Sequence, residues 1–327
     1  MTDSPQLLED SKKVPLEMGQ KRFDQIAASL FSEHSRSRIQ QWIKEGQVRV
    51  NDQVRKPRDK LIGGETLTLK ALLVGEERWG AEPIELNVVF EDDDIIIINK
   101  PTGLVVHPGA GTPSGTMLNG LLYRFPELKS VPRAGIVHRI DKDTTGLMVV
   151  ARTLTAHTSL VGQLQDRSMG REYQALVTGI MTGGGRVDEP IGRHATARTK
   201  MAVTPTGKPA TTHYRVTDRF QNHTFIRCKL ETGRTHQIRV HMAHIGYPLV
   251  GDPVYAGRKR LPKGVTRAVS DALRHFERQA LHAAQLELIH PRTGERMAWQ
   301  AELPDDMIDL LALLEADHEG EVDDDRL

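Results

Sequence analysis

Gly135-Ile136-Val137-His138-Arg139-Ile140-Asp141-Lys142-Asp143-Thr144-Thr145-Gly146-Leu147-Met148-Val149-Val150-Ala151-Arg152 is the most informative stretch of this 327-residue chain. His138, Arg139, Asp141, Lys142 and Asp143 crowd into six consecutive positions between two apolar segments. Such a run cannot be core, and a polar loop held between strands is a common place for a functional site. The competing reading is a capped turn in which Asp143 and Thr144 bond nearby amides. The residues alone leave both readings open. Leu147 to Ala151 is continuously apolar, which suits a strand buried on both faces.

Outward from this stretch, Val88 to Phe90 and Ile95 to Asn99 read as neighbouring strands joined by the acidic turn Glu91 to Asp94. Further strands are expected at Tyr173 to Thr178, His213 to Thr217 and Thr224 to Leu230, with helices near Met117 to Tyr123 and Leu154 to Asp166. Strands and helices without regular βαβ alternation argue for an α+β fold. Nearer the N-terminus, Phe23, Ile26, Ala27 and Leu30 mark one face of a short helix. Ile39, Trp42 and Ile43 mark a second, behind the cap candidates Ser35 and Ser37. Val48 and Val50 alternate into a turn at Asn51-Asp52, and Thr66 to Leu69 follows as a strand. The expected organisation is a flexible lead-in over 1–17, a small α/β domain over 18–77, a large domain over 78–314 and a mobile acidic tail over 315–327.

The formal net charge of +1 hides an asymmetry. Residues 301–327 carry a net charge of −10 and residues 1–300 a net charge of +11. A basic body suits a polyanionic partner, because neutralising phosphates releases condensed counterions. The longest aliphatic run, Ile95 to Ile98, is far too short to cross a bilayer. The first residues lack the apolar segment of a secretory signal, and Cys228 is the single cysteine, so a cytoplasmic protein without membrane contact is expected. His236, His241 and His244 lack ligand spacing on one face, and no metal site is expected.

Other spellings compete for the central stretch. Asp141, Asp143, Thr145 and Gly146 imitate half a calcium loop, but the twelfth position, which must be glutamate, is Arg152. The Asp-x-Asp-x-Thr order is similar to the nucleophile loop of haloacid-dehalogenase-like phosphotransferases, yet the Gly251 to Ala256 segment lacks their second acid. A longer match is to the RluA-type pseudouridine synthases, whose catalytic motif the whole stretch resembles. Ile98 to Gly103 with His107-Pro108-Gly109, then Arg171-Glu172-Tyr173, then Leu230 to His241 fit the same family in order. Gly207 to Ala210 and Arg278 to Ala283 look like its large-subunit ribosomal RNA branch. Ile140 stands where the family usually has leucine. Separately, Ser35 to Gln53 resembles the small S4-like RNA-binding domain.

These resemblances imply an extended mixed, mostly antiparallel sheet with flanking helices and loops, preceded by an S4-like module. They imply isomerisation of uridine to pseudouridine in 23S large-subunit ribosomal RNA, within a precursor particle, with no cofactor. Asp141 is the implied catalytic carboxylate, with Asp143 the local alternative. Arg239 is its implied cationic partner, and Tyr173 is either a core tyrosine or the ring that stacks on the base. If Thr235 to Val240 is a strand, Gln237 and Arg239 share one face while Arg234, His236 and Ile238 share the other. Arg139 is expected to enter the RNA helix where the target base leaves. Arg36, Arg38, Lys44, Arg49, Lys100 and Arg234 are the remaining expected RNA contacts.

Overall fold

The computed structural model describes residues 6–32, 36–73, 79–109, 111–197, 199–257, 262 and 264–320, which fall into two units, 1–78 and 79–327. In the first unit, strand β1 (Gln6–Lys13) precedes helices α1 (Phe23–Leu30) and α2 (Arg36–Lys44) and strands β2 (Val48–Val50) and β3 (Thr66–Leu73). Phe23, Ile26, Ile39 and Ile43 from the helices meet Val48, Leu67 and Leu69 in one core. Asn51 and Asp52, both at positive φ, make the two-residue turn that reverses the chain after β2. Ser37 lies inside α2, and Ser35 is outside the described residues.

The flexible lead-in expected over 1–17 is corrected over most of its length. β1 pairs antiparallel with β3 from Gln6↔Leu73 to Lys13↔Thr66, and Val14 is buried. An edge strand of mixed polar residues is held by its backbone ladder, so the apolar alternation that betrays a half-buried strand is weak here.

The second unit contains β4 (Val88–Glu91), β5 (Ile95–Lys100), α3 (Met117–Arg124), β6 (Thr145–Ala151), α4 (Leu154–Gln165), β7 (Gly170–Thr178), β8 (Gly185–Asp188), β9 (Ile191–Arg193), β10 (Met201–Val203), β11 (Thr211–Arg219), β12 (His223–Leu230), α5 (Gln237–His244), α6 (Arg267–His275), β13 (Leu281–Ile289), β14 (Arg296–Gln300) and α7 (Asp305–Glu319). Among the described residues, nine strands form one sheet in the order β4-β5-β6-β13-β7-β12-β11-β8, with β14 pairing on β13. All of these pairings are antiparallel except β6 with β13, so the sheet is mixed and mostly antiparallel.

The apolar runs in β5 and β6 are explained by burial on both faces. Ile96, Ile98, Met148 and Val150 enter the core beneath α3 and α5, whereas Ile95, Ile97, Leu147 and Val149 pack against α4. Gly146 lets β6 approach β13. Its φ is +110°, and a Cβ there would lie 2.3 Å from the Ala283 carbonyl oxygen.

The expected mobile tail is also corrected. α7 continues through Glu319 and ends at Gly320 in the left-handed conformation. Met307, Leu310 and Leu314 pack on α6, and the buried Asp317 accepts a hydrogen bond from the Thr266 amide at 2.9 Å. A boundary after residue 314 therefore cuts a docked helix, and 321–327 lie outside the described residues. Acidic side chains on the outer face conceal the inner apolar row.

Candidate active site

β13 lies between β6 and β7 and brings two distant segments together: Ala283 is opposite both Gly146 and Tyr173. The polar loop before β6 therefore ends above Tyr173. A narrow slot of about 50 Å³ opens there, walled by Ile140, Tyr173, Leu230, Ile238 and Leu281. Asp141, Arg171, His236 and Arg239 supply its polar lining.

Arg239 Nη1 donates to Asp141 Oδ2 at 2.8 Å. Its other edge makes a fork to Asp252, Nε to Oδ2 at 2.7 Å and Nη2 to Oδ1 at 2.9 Å. Such bidentate contacts fix direction as well as charge. Asp252 is held in turn by the amides of Val254 and Tyr255, at 2.8 and 3.0 Å. Burial pushes the Asp252 carboxyl up, but the Arg239 guanidinium and these two amides outweigh it and hold the group below its ordinary range. For Arg239, burial is likewise outweighed, by Asp252 and Asp141, and its affinity for the proton is raised. A cation clamped on one side by Asp252 thus presents a fixed hydrogen bond to Asp141.

His236 stands at the N-terminus of α5 in a left-handed conformation, φ 57°. Its Nδ1 lies 2.7 Å from the Tyr255 hydroxyl, which accepts from the Met201 amide. Its Nε2 faces Asp141 Oδ1 across 3.8 Å. Burial pushes the His236 pKa down; Asp141 opposes this and Arg239 adds to it. Tyr173 is 6% exposed and belongs to both the main core and the slot. Burial raises its hydroxyl pKa, with Arg171 opposing and Asp141 reinforcing.

The profile of the RNA pseudouridylate synthase family matches residues 94–244, and that of the S4 domain matches residues 21–67. The chain is 57% identical over 314 residues to the ribosomal large subunit pseudouridine synthase D of Pseudomonas aeruginosa, covering 96% of this chain and 98% of that one. The chain belongs to the RNA pseudouridylate synthase family. The protein of the same name from Escherichia coli strain K12 is 57% identical to this synthase over 311 residues, 94% of this chain and 95% of that one. Among solved structures, human RNA pseudouridylate synthase domain containing 4 shares its fold with a TM-score of 0.56 at 24% identity, over 70% of this chain and 93% of that one.

The synthase brings Asp141, Tyr173 and Arg239 to one slot, but the backbone expected for Arg239 is corrected. Residues from Gln237 onward form α5, not a strand, so the argument from alternating faces fails. Arg234, His236, Ile238 and Arg239 all line the slot. The helical signal is present in Ile238, Met242 and Ile245, spaced to place one row in the core.

Lys100 is a second correction. It is fully buried, and its ammonium donates to the carbonyls of Pro101, Leu104 and Lys142 at 2.7, 2.9 and 2.8 Å. It cannot contact RNA from there; it ties the Asp141 loop to the end of β5. Burial pushes its pKa down to about 8 although Asp143 and Asp141 favour the charged form.

Sequence reading missed Asp252 and Tyr255. The available signal was the Asp-Pro-Val-Tyr turn, whose Asp accepts amides two and three residues on. Among the histidines considered as ligands, His241 is committed to the Thr212 hydroxyl and the Glu189 carbonyl. Among the described residues, Asp92, Asp94 and His290 come close enough to share an ion, but Arg292 engages Asp94 and His290 engages Asp92.

Proposed function

We propose that this synthase isomerises uridines of 23S large-subunit ribosomal RNA, in a cytoplasmic precursor particle, with Asp141 as the reacting carboxylate. The supporting observation is the clamp: Asp252 fixes Arg239, and Arg239 fixes Asp141 at the mouth of a slot floored by Tyr173. The reaction breaks the bond between C1′ and N1, turns the base and joins C1′ to C5. C5 gives up its hydrogen and N1 gains one, so atoms and electrons balance without an oxidant, a reductant or water. Asp141 acts as nucleophile at C1′ or as base at C2′; either role places a carboxylate where positive charge develops on the sugar. The flat Tyr173 ring stacks on the extruded base, and Arg139, which is exposed at the mouth of the slot, occupies the gap left in the RNA. The test is to incubate the purified protein with ribosomal RNA and map pseudouridine chemically; no new pseudouridine in large-subunit RNA would refute the reading.

The S4 unit supplies affinity in this scheme. Arg36, Lys44 and Arg49 are exposed on α2 and β2, while Arg38 lies over the Trp42 ring. Changing Arg36, Lys44 and Arg49 together to Gln is expected to flatten the slope of log affinity against log salt by roughly 0.7–0.9 for each phosphate that is no longer neutralised. Turnover at saturating enzyme should stay near wild type. Fluorescence titration across a salt series measures this, and an unchanged slope would remove the unit from the RNA interface.

A further inference from the structure

Arg139, Arg171, Gly233 and Arg234 wall not only the Asp141 slot but also an adjoining, roomier cavity of about 470 Å³. Arg133, His107 and His138 complete its polar lining, and among the described residues no carboxylate lines it. Arg171 is 8% exposed, its Nε has no partner, and among the described residues no hydrogen bond or ion pair engages its guanidinium. Nε is sealed, while the two Nη nitrogens keep accessible surface and, among the described residues, have no protein partner, which leaves them free to donate to an anion from outside.

The two histidines narrow the ligand. His107 Nδ1 is 2.8 Å from the Pro108 carbonyl, which can only accept, so in the neutral ring the proton sits on Nδ1. Its Nε2 is then a buried acceptor without a donor. His138 Nε2 accepts from the Val149 amide at 3.2 Å, which leaves its proton on Nδ1. Burial, reinforced by Arg171, pushes the His138 pKa down to about 3, so that ring stays neutral. The His138 ring adds no positive charge, so the cavity's call for an anion rests on its arginines, Arg171 above all.

We infer that this cavity is a second nucleotide subsite, which takes the ribonucleotide adjoining the one seated beside Asp141. Its phosphodiester lies on the Arg171 guanidinium. The inference rests on the reading that uridine enters the Asp141 slot. It gives the synthase a grip on the strand flanking its target, with Arg133 and Arg234 at the rim.

The test uses an RNA fragment whose target uridine has been located by pseudouridine mapping. Each of the two phosphodiesters flanking that uridine is replaced in turn by a neutral methylphosphonate. Affinity is read by fluorescence anisotropy with the full-length Asp141→Asn protein, which needs no turnover. One of the two replacements should weaken binding roughly tenfold or more, the scale of a charge-assisted hydrogen bond. Arg171→Gln in the same background should cost a similar factor on unmodified RNA, and the two changes together no more than either alone. A smaller effect at both linkages, or losses that multiply, would overturn the subsite. The RNA-side arm needs no change at Arg171 and decides the matter if Arg171→Gln fails to fold. Unmodified RNA that the wild-type enzyme does not convert counts against the uridine reading. RNA that is converted normally yet binds equally well with either linkage neutralised counts against the subsite alone.

Discussion

Asp141→Asn is expected to drive pseudouridine formation below detection, a loss of at least about 10⁴-fold, while folding and RNA binding persist. The substitution keeps the volume of the side chain and its ability to accept from Arg239, so the 2.8 Å contact has a neutral counterpart. What disappears is the negative charge, and with it nucleophilicity and basicity. Binding should hold or tighten slightly, because a like charge is removed from beside RNA phosphates. Asp143→Asn is the matched control. Asp143 does not line the slot, so its loss should reduce the rate modestly through a looser loop. Single-turnover assays on both variants, with melting curves alongside, check the pair. Substantial activity in Asp141→Asn together with none in Asp143→Asn would move the assignment by two residues.

The second large effect belongs to a residue that never touches the substrate in this scheme. Asp252→Asn replaces two charge-assisted bonds to Arg239 with at best one neutral one and places an amide NH₂ against guanidinium donors. Asp252 is 3% exposed and Arg239 4% exposed, so the broken pair is a buried one. Removing one partner of such a pair costs about 3–5 kcal/mol, and the lower end is expected because Asp141 still faces Arg239. The rate should fall by roughly 100-fold, since a displacement of about 1 Å in a positioned group has that consequence. Affinity for RNA should hardly change. The pH profile gives an independent reading. Because the folded carboxyl of Asp252 lies below its ordinary 3.8, its contribution to stability is fully present above that value and is lost as pH falls through the lower folded one. Wild type should therefore lose stability more steeply than Asp252→Asn in that acidic window. Wild-type kcat and an unchanged Tm in Asp252→Asn would remove it from the site.

These two residues also show what can be read from the sequence. The loop that carries Asp141 is accessible because charged residues crowded between apolar runs have no place in a core; Asp141 itself is singled out by the motif it resembles. Arg239 is found through its motif, yet its helix reads as a strand because Ile238 and Val240 alternate with polar residues. Asp252 stays silent because its meaning depends on an arginine thirteen positions away, on another element. Lys100 reads as an RNA contact because a lysine is normally a surface group; the three carbonyls that surround it come together only when β5 meets the loop. The α+β class is accessible because it rests on local periodicity, and the S4 unit because the stretch from Ser35 to Gln53 resembles that module. The first strand is not, because a polar edge strand is defined by its partner.

The place of β13 in the sheet also has a consequence in time. Asp141, Tyr173, Arg239 and Asp252 all leave the ribosome before the strand that unites them, since β13 begins only at Leu281. Until it slots between β6 and β7, the edges of both strands stand unpaired and their loops have no common frame. The S4 unit, by contrast, draws its whole core from the first third of the chain and has its contacts available early. Synthesis thus delivers the residues of the S4 core first and the strand that closes the Asp141 slot last.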